Sequence, residues 1–300
     1  MKALVLYHGN CPDGFTSAWA AWLHLGDSAE YVPVNHDDDD IPDVTGRDVY
    51  ILDFSYARDV ILDMKEKATS FLVLDHHKSA ESALDGIEGC HFDMDRSGAG
   101  MSWDHFHKGK PRSSLASYVE DRDLWRFDLP ASKEINSVVT SHEFTFDNWD
   151  RLNRQLYNDF HKVAAEGEAL LRSKDRYVEI MIESCSLTTS FLGFDNVPMV
   201  NAPHISISEL VGRLSEGVPF AVGWRQMSNG KFIYSLRSRE DGIDVSALAV
   251  HMGGGGHPAA AGFDSHLPPW DLAVDIKSRL LRDMNEDNVD MDSVPPSGMA

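Results

Sequence analysis

Short apolar runs alternate with helix-like stretches through the first third of the chain. Ala3–Tyr7, Tyr31–Val34, Val49–Leu52 and Phe71–Leu74 read as buried strands. Phe15, Trp19, Trp22 and Leu23 recur at helical spacing after the first run, and Val60, Ile61, Met64 and Ala68 after the third. Apolar run followed by amphipathic helix, repeated, is the βαβ signature of a parallel sheet. By their periodicity Trp19 and Trp22 belong to the core of such a layer. From Asn148 to about Ser184 the chain reads as helix, with Trp149, Leu152, Leu156, Phe160 and Val163 on one face. This stretch carries little chemistry and reads as a bridge, with a domain boundary within 130–190.

The pattern changes in the last third. Met199–Asn201, Phe220–Trp224 and Phe232–Leu236 are strand-like, and Asn229-Gly230 between the last two predicts a hairpin. Val245–Met252 reads as helix. Gly253–Gly256, His257 and Pro258 follow as a loop, with an Ala-rich helical turn after them. The expectation is an α/β chain: an N-terminal parallel-sheet domain over 1–130, a helical linker over 131–190 and a smaller α+β domain over 191–284. An acidic tail over 285–300, poor in apolar residues, is expected to be disordered.

Composition narrows the function classes. The 300 residues include 42% hydrophobic positions, ample for packed cores, and carry a net charge of −21. That charge argues against a protein coating long duplex nucleic acid, where affinity comes from Lys and Arg on phosphates. A small phosphorylated ligand remains compatible, because a local site can be positive or metal-loaded on an acidic body. Cys11, Cys90 and Cys185 are far apart and without C-x-x-C spacing, which fits a reducing compartment and no structural zinc. No stretch approaches 18 apolar residues, so no membrane span is expected, and a cytoplasmic location follows.

The polar residues that end the apolar runs carry the chemistry. His8 and Asp13 follow the first run, Asp53 the third, and Asp75-His76-His77 the fourth. Side chains at the carboxyl ends of parallel strands face the crevice where ligands bind. Convergence of three segments on one sheet edge is hard to ascribe to surface chance. Asp121, in the acidic cluster after Leu115–Val119, is a candidate further ligand; Asp123 would cap local backbone or pair with Arg122 or Arg126. Ser97, before Gly98-Ala99-Gly100, either presents a helix N-terminus to an anion or is a simple N-cap. The Asp37–Asp40 run reads as a solvated loop. The glycine run before His257 reads as a backbone able to approach a phosphate.

In this order the motifs resemble the DHH phosphoesterase family, whose name-giving motif is matched by Asp75-His76-His77. His8 with Asp13-Gly14, Asp53 and Asp121 fit its other motifs. Gly253–Gly262 is similar to the glycine-rich signature of the C-terminal domain that accompanies many members. The resemblance spans residues 3 to 265. It implies a hydrolase with two Mn2+ or Mg2+ ions and an active site in the interdomain cleft. It assigns His8, Asp13, Asp53, His76 and Asp121 as metal ligands, with Asp53 bridging. Asp75 would orient a histidine, and His77 would contact the scissile phosphate or protonate the leaving group. Arg237, Gly254, Gly255, Gly256, His257 and Ser97 would hold substrate. The activity implied is phosphodiester hydrolysis of short oligonucleotides or small nucleotides. A phosphomonoesterase or polyphosphatase on the same metals, or a nucleotide-binding module without turnover, are the alternatives; a homodimer is a possible assembly. The chain departs from the family at the first motif: many members carry His-x-Asp-x-Asp-Gly, and here Asn10 or Cys11 stands near the first Asp.

Overall fold

The structure is a computed structural model that describes residues 2–35, 41–239 and 242–272. The acid run at Asp37–Asp40 and the tail from Asn285 lie outside the described residues. The chain divides into two compact units, Met1–Arg172 and Ser173–Ala300.

In the first unit, β1 (Ala3–His8), α1 (Pro12–Leu25), β2 (Ala29–Val34), β3 (Asp48–Leu52), α2 (Arg58–Lys67), β4 (Ser70–Asp75), α3 (Lys78–Leu84) and β5 (Cys90–Phe92) follow in order. The five strands form one parallel sheet in the order β2-β1-β3-β4-β5. Five helices follow: α4 (Gly98–Phe106), α5 (Ser114–Asp123), α6 (Ser132–Ser141), α7 (Phe146–Asn158) and α8 (Phe160–Cys185). The helix expected from Asn148 to Ser184 is thus two helices, because Asp159 leaves helical geometry at φ −135° and ψ 40°.

Strand alternation builds the two faces of this sheet. Leu4 and Leu6 point to a core shared with Ile61 and Met64 of α2 and Leu84 of α3. Val5 and Tyr7 point to the opposite core, with Trp19 of α1, Trp103 of α4, Leu115 and Val119 of α5 and Trp149 of α7. Trp19 is fully buried and Trp22 packs at its edge, as the periodicity predicted. Burying both faces explains why these strands are apolar runs rather than alternating ones.

The second unit holds β6 (Ser186–Phe191), β7 (Phe194–Asn201), α9 (His204–Leu214), β8 (Ala221–Gln226), β9 (Phe232–Arg237), α10 (Val245–His251), β10 (Gly255–His257) and β11 (Ala260–Ser265). Its sheet runs β10-β11-β9-β8-β7-β6. All pairs are antiparallel except β7 with β8. Asn229-Gly230 does turn β8 into β9, with Gly230 at φ 87° and its N–H bonded to the Met227 carbonyl. The stretch after Gly253 corrects an expectation. It is a strand pair, β10 and β11, not a loop and a helical turn. A Cβ at Gly254 would lie 2.1 Å from the Gly262 carbonyl, and one at Gly256 2.5 Å from the Ala261 Cα. These glycines let two backbones pair closely. No helix among the described residues is long and apolar enough to cross a membrane.

Candidate metal centre

Parallel register sets the site. His8 on β1 aligns with Val34 of β2, Tyr7 with Leu52 of β3, and Leu52 with Leu74 of β4. His8, Asp53 and Asp75 therefore end on one edge of the sheet. Strand order reverses between β1 and β3, the point where an open α/β sheet leaves a crevice at its carboxyl edge. Asp53 leaves β3 with φ 56°, a left-handed conformation that non-glycine residues adopt rarely, mostly where surroundings impose it.

Two close backbone approaches complete the crevice. At Gly14 a Cβ would meet the His8 carbonyl oxygen at 2.3 Å, and at Gly98 one would meet the Asp53 Cβ at 2.4 Å. Glycine at these positions lets α1 and α4 lie against the strand ends. Asp13 then joins the two helices. Its carboxylate accepts from Gly98 N at 2.7 Å and Ala99 N at 3.0 Å, across the N-terminus of α4. The anion at that helix start is thus the protein's own Asp13. Ser97 is the N-cap, accepting from Gly100 N at 3.2 Å, so the capping reading of Ser97 describes its geometry.

Three carboxylates surround one imidazole nitrogen. His76 Nε2 lies 3.1 Å from Asp53 Oδ1, 3.4 Å from Asp123 Oδ2 and 3.8 Å from Asp13 Oδ2. On the other side of Asp53, Oδ2 lies 3.5 Å from His8 Nδ1. Among the described residues, donor atoms fall into three groups within 4.8 Å: His8–Cys11–Asp53, Asp53–His76–His77 and Asp13–His76–Asp123. Asp53 belongs to two of them, and so does His76.

Asp75 stands behind this layer, fully buried. It accepts from His77 Nδ1 at 2.6 Å, Ser55 Oγ at 2.6 Å and the His76 amide at 2.7 Å. This fixes which ring nitrogen of His77 is engaged and leaves Nε2 for other contacts.

One residue departs from the sequence expectation, and the choice left open in the first motif falls to Cys11. The carboxylate α5 brings to the cluster is Asp123, not Asp121. Asp121 is buried and accepts from the amides of Asp128 at 2.9 Å and Leu129 at 3.4 Å, holding the turn after α5. In the first motif Cys11 joins the donor groups, whereas Asn10 is exposed with φ 55°. Neither was marked by its neighbours in sequence; helix rotation and the glycine-turn geometry decide both.

In the second unit, Arg237 donates to the Leu236 carbonyl at 2.8 Å and Ser208 Oγ at 3.0 Å, and burial lowers its pKa. Gly255, Gly256 and His257 form β10, with Gly254 just before it.

Electrostatics test whether this donor set suits a cation. Burial, then Asp53 and Asp123, push the Asp13 carboxyl well above its usual value. Burial and Asp53 push Asp123 up to about 6. Burial would also lift Asp53, but the His76 and His8 imidazoles outweigh it and hold that carboxyl low. The Asp75 hydrogen bond raises His77 to about 9. Buried carboxylates that resist joint ionisation, with one buried oxygen (Asp53 Oδ2) lacking a hydrogen-bond partner, suit a divalent cation among them. The residues fit the group that the resemblance implies. Carboxylates and imidazoles match Mn2+ or Mg2+, with Cys11 as the one soft donor.

Residues 198–279 match the model of the DHHA1 domain. An uncharacterized protein of Acanthamoeba polyphaga mimivirus is 30% identical over 286 residues, covering 86% of this chain and 66% of that protein. Oligoribonuclease NrnB of Bacillus subtilis (strain 168) is 29% identical over 167 residues, covering 51% of this chain and 40% of that protein. The chain thus spans less than two thirds of the length of these curated relatives. Among solved structures, the pGpG-specific phosphodiesterase PggH from Vibrio cholerae superposes with a TM-score of 0.53 at 14% identity, over 97% of this chain and 100% of the other. RecJ from Thermus thermophilus in complex with Mn2+ does so with a TM-score of 0.53 at 13% identity, over 94% and 52%. At such identities these are likenesses of fold. Residues 198–279 are thus similar to the DHHA1 domain, and the fold, the strand-end acids and the Asp75-His76-His77 motif agree with the resemblance to the DHH phosphoesterase family.

Proposed function

We propose that the protein is a metal-dependent phosphodiesterase acting on short oligonucleotides or small nucleotides. The carrying observation is the convergence of Asp13, Asp53 and Asp123 on His76 Nε2, all within 3.8 Å, at the reversal point of the sheet. His8, Asp13, Asp53, His76 and Asp123 would hold two divalent ions. In these positions the ions would polarise the phosphoryl oxygens and make water more acidic.

The chain's own groups have distinct tasks in this reading. Asp53 offers one oxygen to each side of the centre. Asp13, tied to two amides of α4, keeps its carboxylate aimed without side-chain freedom. In the metal-free chain the Asp75 hydrogen bond raises His77 to about 9, which favours its protonated form. With Nδ1 engaged by Asp75, its Nε2–H is the donor left for a phosphate oxygen or the leaving oxygen. Arg237 and His257 in the second unit are assigned to substrate, Arg237 through its planar fork.

The acidic body, with net charge −21, supports a short substrate over long strands. The naming of one relative as an oligoribonuclease and of one structural neighbour as a pGpG-specific phosphodiesterase supports the same class. The test is purified protein with Mn2+ against di- to pentanucleotides, cyclic dinucleotides, 3′-phosphoadenosine phosphate and polyphosphate. Mononucleotide release from the short oligomers, lost in Asp53→Ala, is expected. Release of phosphate alone would make it a monoesterase or polyphosphatase. No release from any of them would refute turnover and favour a binding module.

A further inference from the structure

The first motif, His8 to Gly14, carries a thiol, where the pattern His-x-Asp-x-Asp-Gly of the family it resembles carries a second carboxylate. Cys11 Sγ lies with a His8 ring nitrogen and an Asp53 carboxylate oxygen, all within 4.8 Å of one another. Two further observations bear on this group. Asp53 is 1% exposed, and its Oδ2, the oxygen 3.5 Å from His8 Nδ1, is buried without a hydrogen-bond partner. Cys11 is also the N-cap of α1, with the Gly14 amide as the backbone group nearest its sulfur and no capping hydrogen bond of full geometry. Ser, Thr, Asn or Asp would serve better at an N-cap, so capping does not account for a cysteine here.

We propose that Cys11 is a thiolate ligand to one metal position, His8–Cys11–Asp53, so that the centre pairs a sulfur-bearing position with a sulfur-free one at Asp13–His76–Asp123. This rests on the metal-centre reading above and adds to it a difference between the two positions. Thiolate favours softer ions such as Zn2+, Co2+ or Fe2+, whereas carboxylates with one imidazole suit Mn2+ or Mg2+. When the ion binds, the S–H bond breaks, the sulfur electron pair goes to the metal and the proton leaves to solvent. The protein should therefore take an unlike pair of ions, its first position filling with a thiophilic metal.

Cobalt(II) reports this directly in the full-length chain. Metal-free protein titrated with Co2+ is expected to show a sulfur-to-cobalt charge-transfer band in the near ultraviolet. The band should persist in Cys90→Ser/Cys185→Ser and vanish in Cys11→Ser and Cys11→Ala, while visible cobalt bands show metal still bound. In Cys11→Ala the affinity for Zn2+ should fall at least about tenfold, the scale of losing even supporting residues around a metal, with Mn2+ affinity changing far less. Serine is favoured at an N-cap, so Cys11→Ser should fold, and circular dichroism checks it. Cobalt bound by the wild type without a sulfur band would overturn the Cys11 assignment and leave the metal centre standing. A band that survives in both Cys11 variants would also overturn it. No binding of Co2+ or Mn2+ by the wild type would overturn the assignment and the metal-centre reading together.

Discussion

Asp123 gives the sharpest test, because its cost to the fold and its use to the site have opposite signs. Its side chain is 25% exposed, and burial with the nearby Asp53 raises its pKa from 3.8 to about 6. A carboxyl raised on folding is better tolerated protonated. Below pH 3.8 both folded and unfolded chains hold the proton and the group costs nothing. Between 3.8 and about 6 the unfolded chain ionises first, and above about 6 the full penalty is present. At roughly 1.4 kcal/mol per tenfold, that gap caps the penalty at about 3 kcal/mol, and solvent reaching the side chain reduces it to about 1–3 kcal/mol. Asp123→Asn removes the charge and keeps the shape. In metal-free protein at pH 7.5 it should stabilise the first unit by that amount, about 2–4 °C of Tm per kcal/mol for a unit of this size. At pH 4 the gain should shrink towards zero. With saturating Mn2+ the order should reverse, since the wild type gains stability by binding and the variant loses a ligand. Thermal melts of both proteins at the two pH values, with chelator and with Mn2+, decide the matter. A variant no more stable than wild type at pH 7.5 without metal, or equally stabilised at pH 4, would refute the reasoning. Asp13→Asn is the counterpart: burial raises this carboxyl too, but an amide nitrogen cannot accept from a buried N–H, so leaving one of the Gly98 and Ala99 amides unpaired should make the gain smaller than at Asp123.

Gly98→Ala should cost about 1–3 kcal/mol by overpacking, since its Cβ would meet the Asp53 Cβ at 2.4 Å; it should also weaken Mn2+ binding, and calorimetry showing wild-type affinity would release Gly98 from the site. Arg237→Ala should raise KM with little change in kcat, whereas collapsed kcat at unchanged KM would remove it from substrate binding. Stability should fall in alkali. Burial raises Tyr7, Tyr50, Tyr118 and Tyr234, and burial with Asp27 raises Tyr31 to about 12. The neutral phenols of Tyr31, Tyr118 and Tyr234 donate to the carbonyls of Gly26, Pro130 and Leu267. Their contribution is complete below pH 10 and lost as pH climbs from 10 towards 12; denaturant midpoints that stay level across that window would contradict this.

What the sequence determined by itself was local and periodic. Apolar runs of strand length, helical spacing between them and a polar residue at each run's end sufficed to place His8, Asp53 and Asp75-His76-His77 on one edge. Parallel strands starting from one side finish on the other, whatever the packing details. Asn229-Gly230 was equally legible, because its backbone demands are met within the turn.

Tertiary structure decided the choices between near neighbours. Asp121 and Asp123 lie about 200° apart around a helix, so only the rotation of α5 against its core decides which one reaches His76. That rotation is set by Leu115 and Val119 packing into the layer with Trp19 and Trp149. Asn10 and Cys11 differ in the same way: a left-handed turn at Asn10 leaves it in solvent and turns the thiol towards His8 and Asp53. The glycine run has no side chains to declare a period, so its pairing as β10 with β11 came from a distant partner. A ligand set drawn from four separate segments is specified only when packing fixes how each segment is turned.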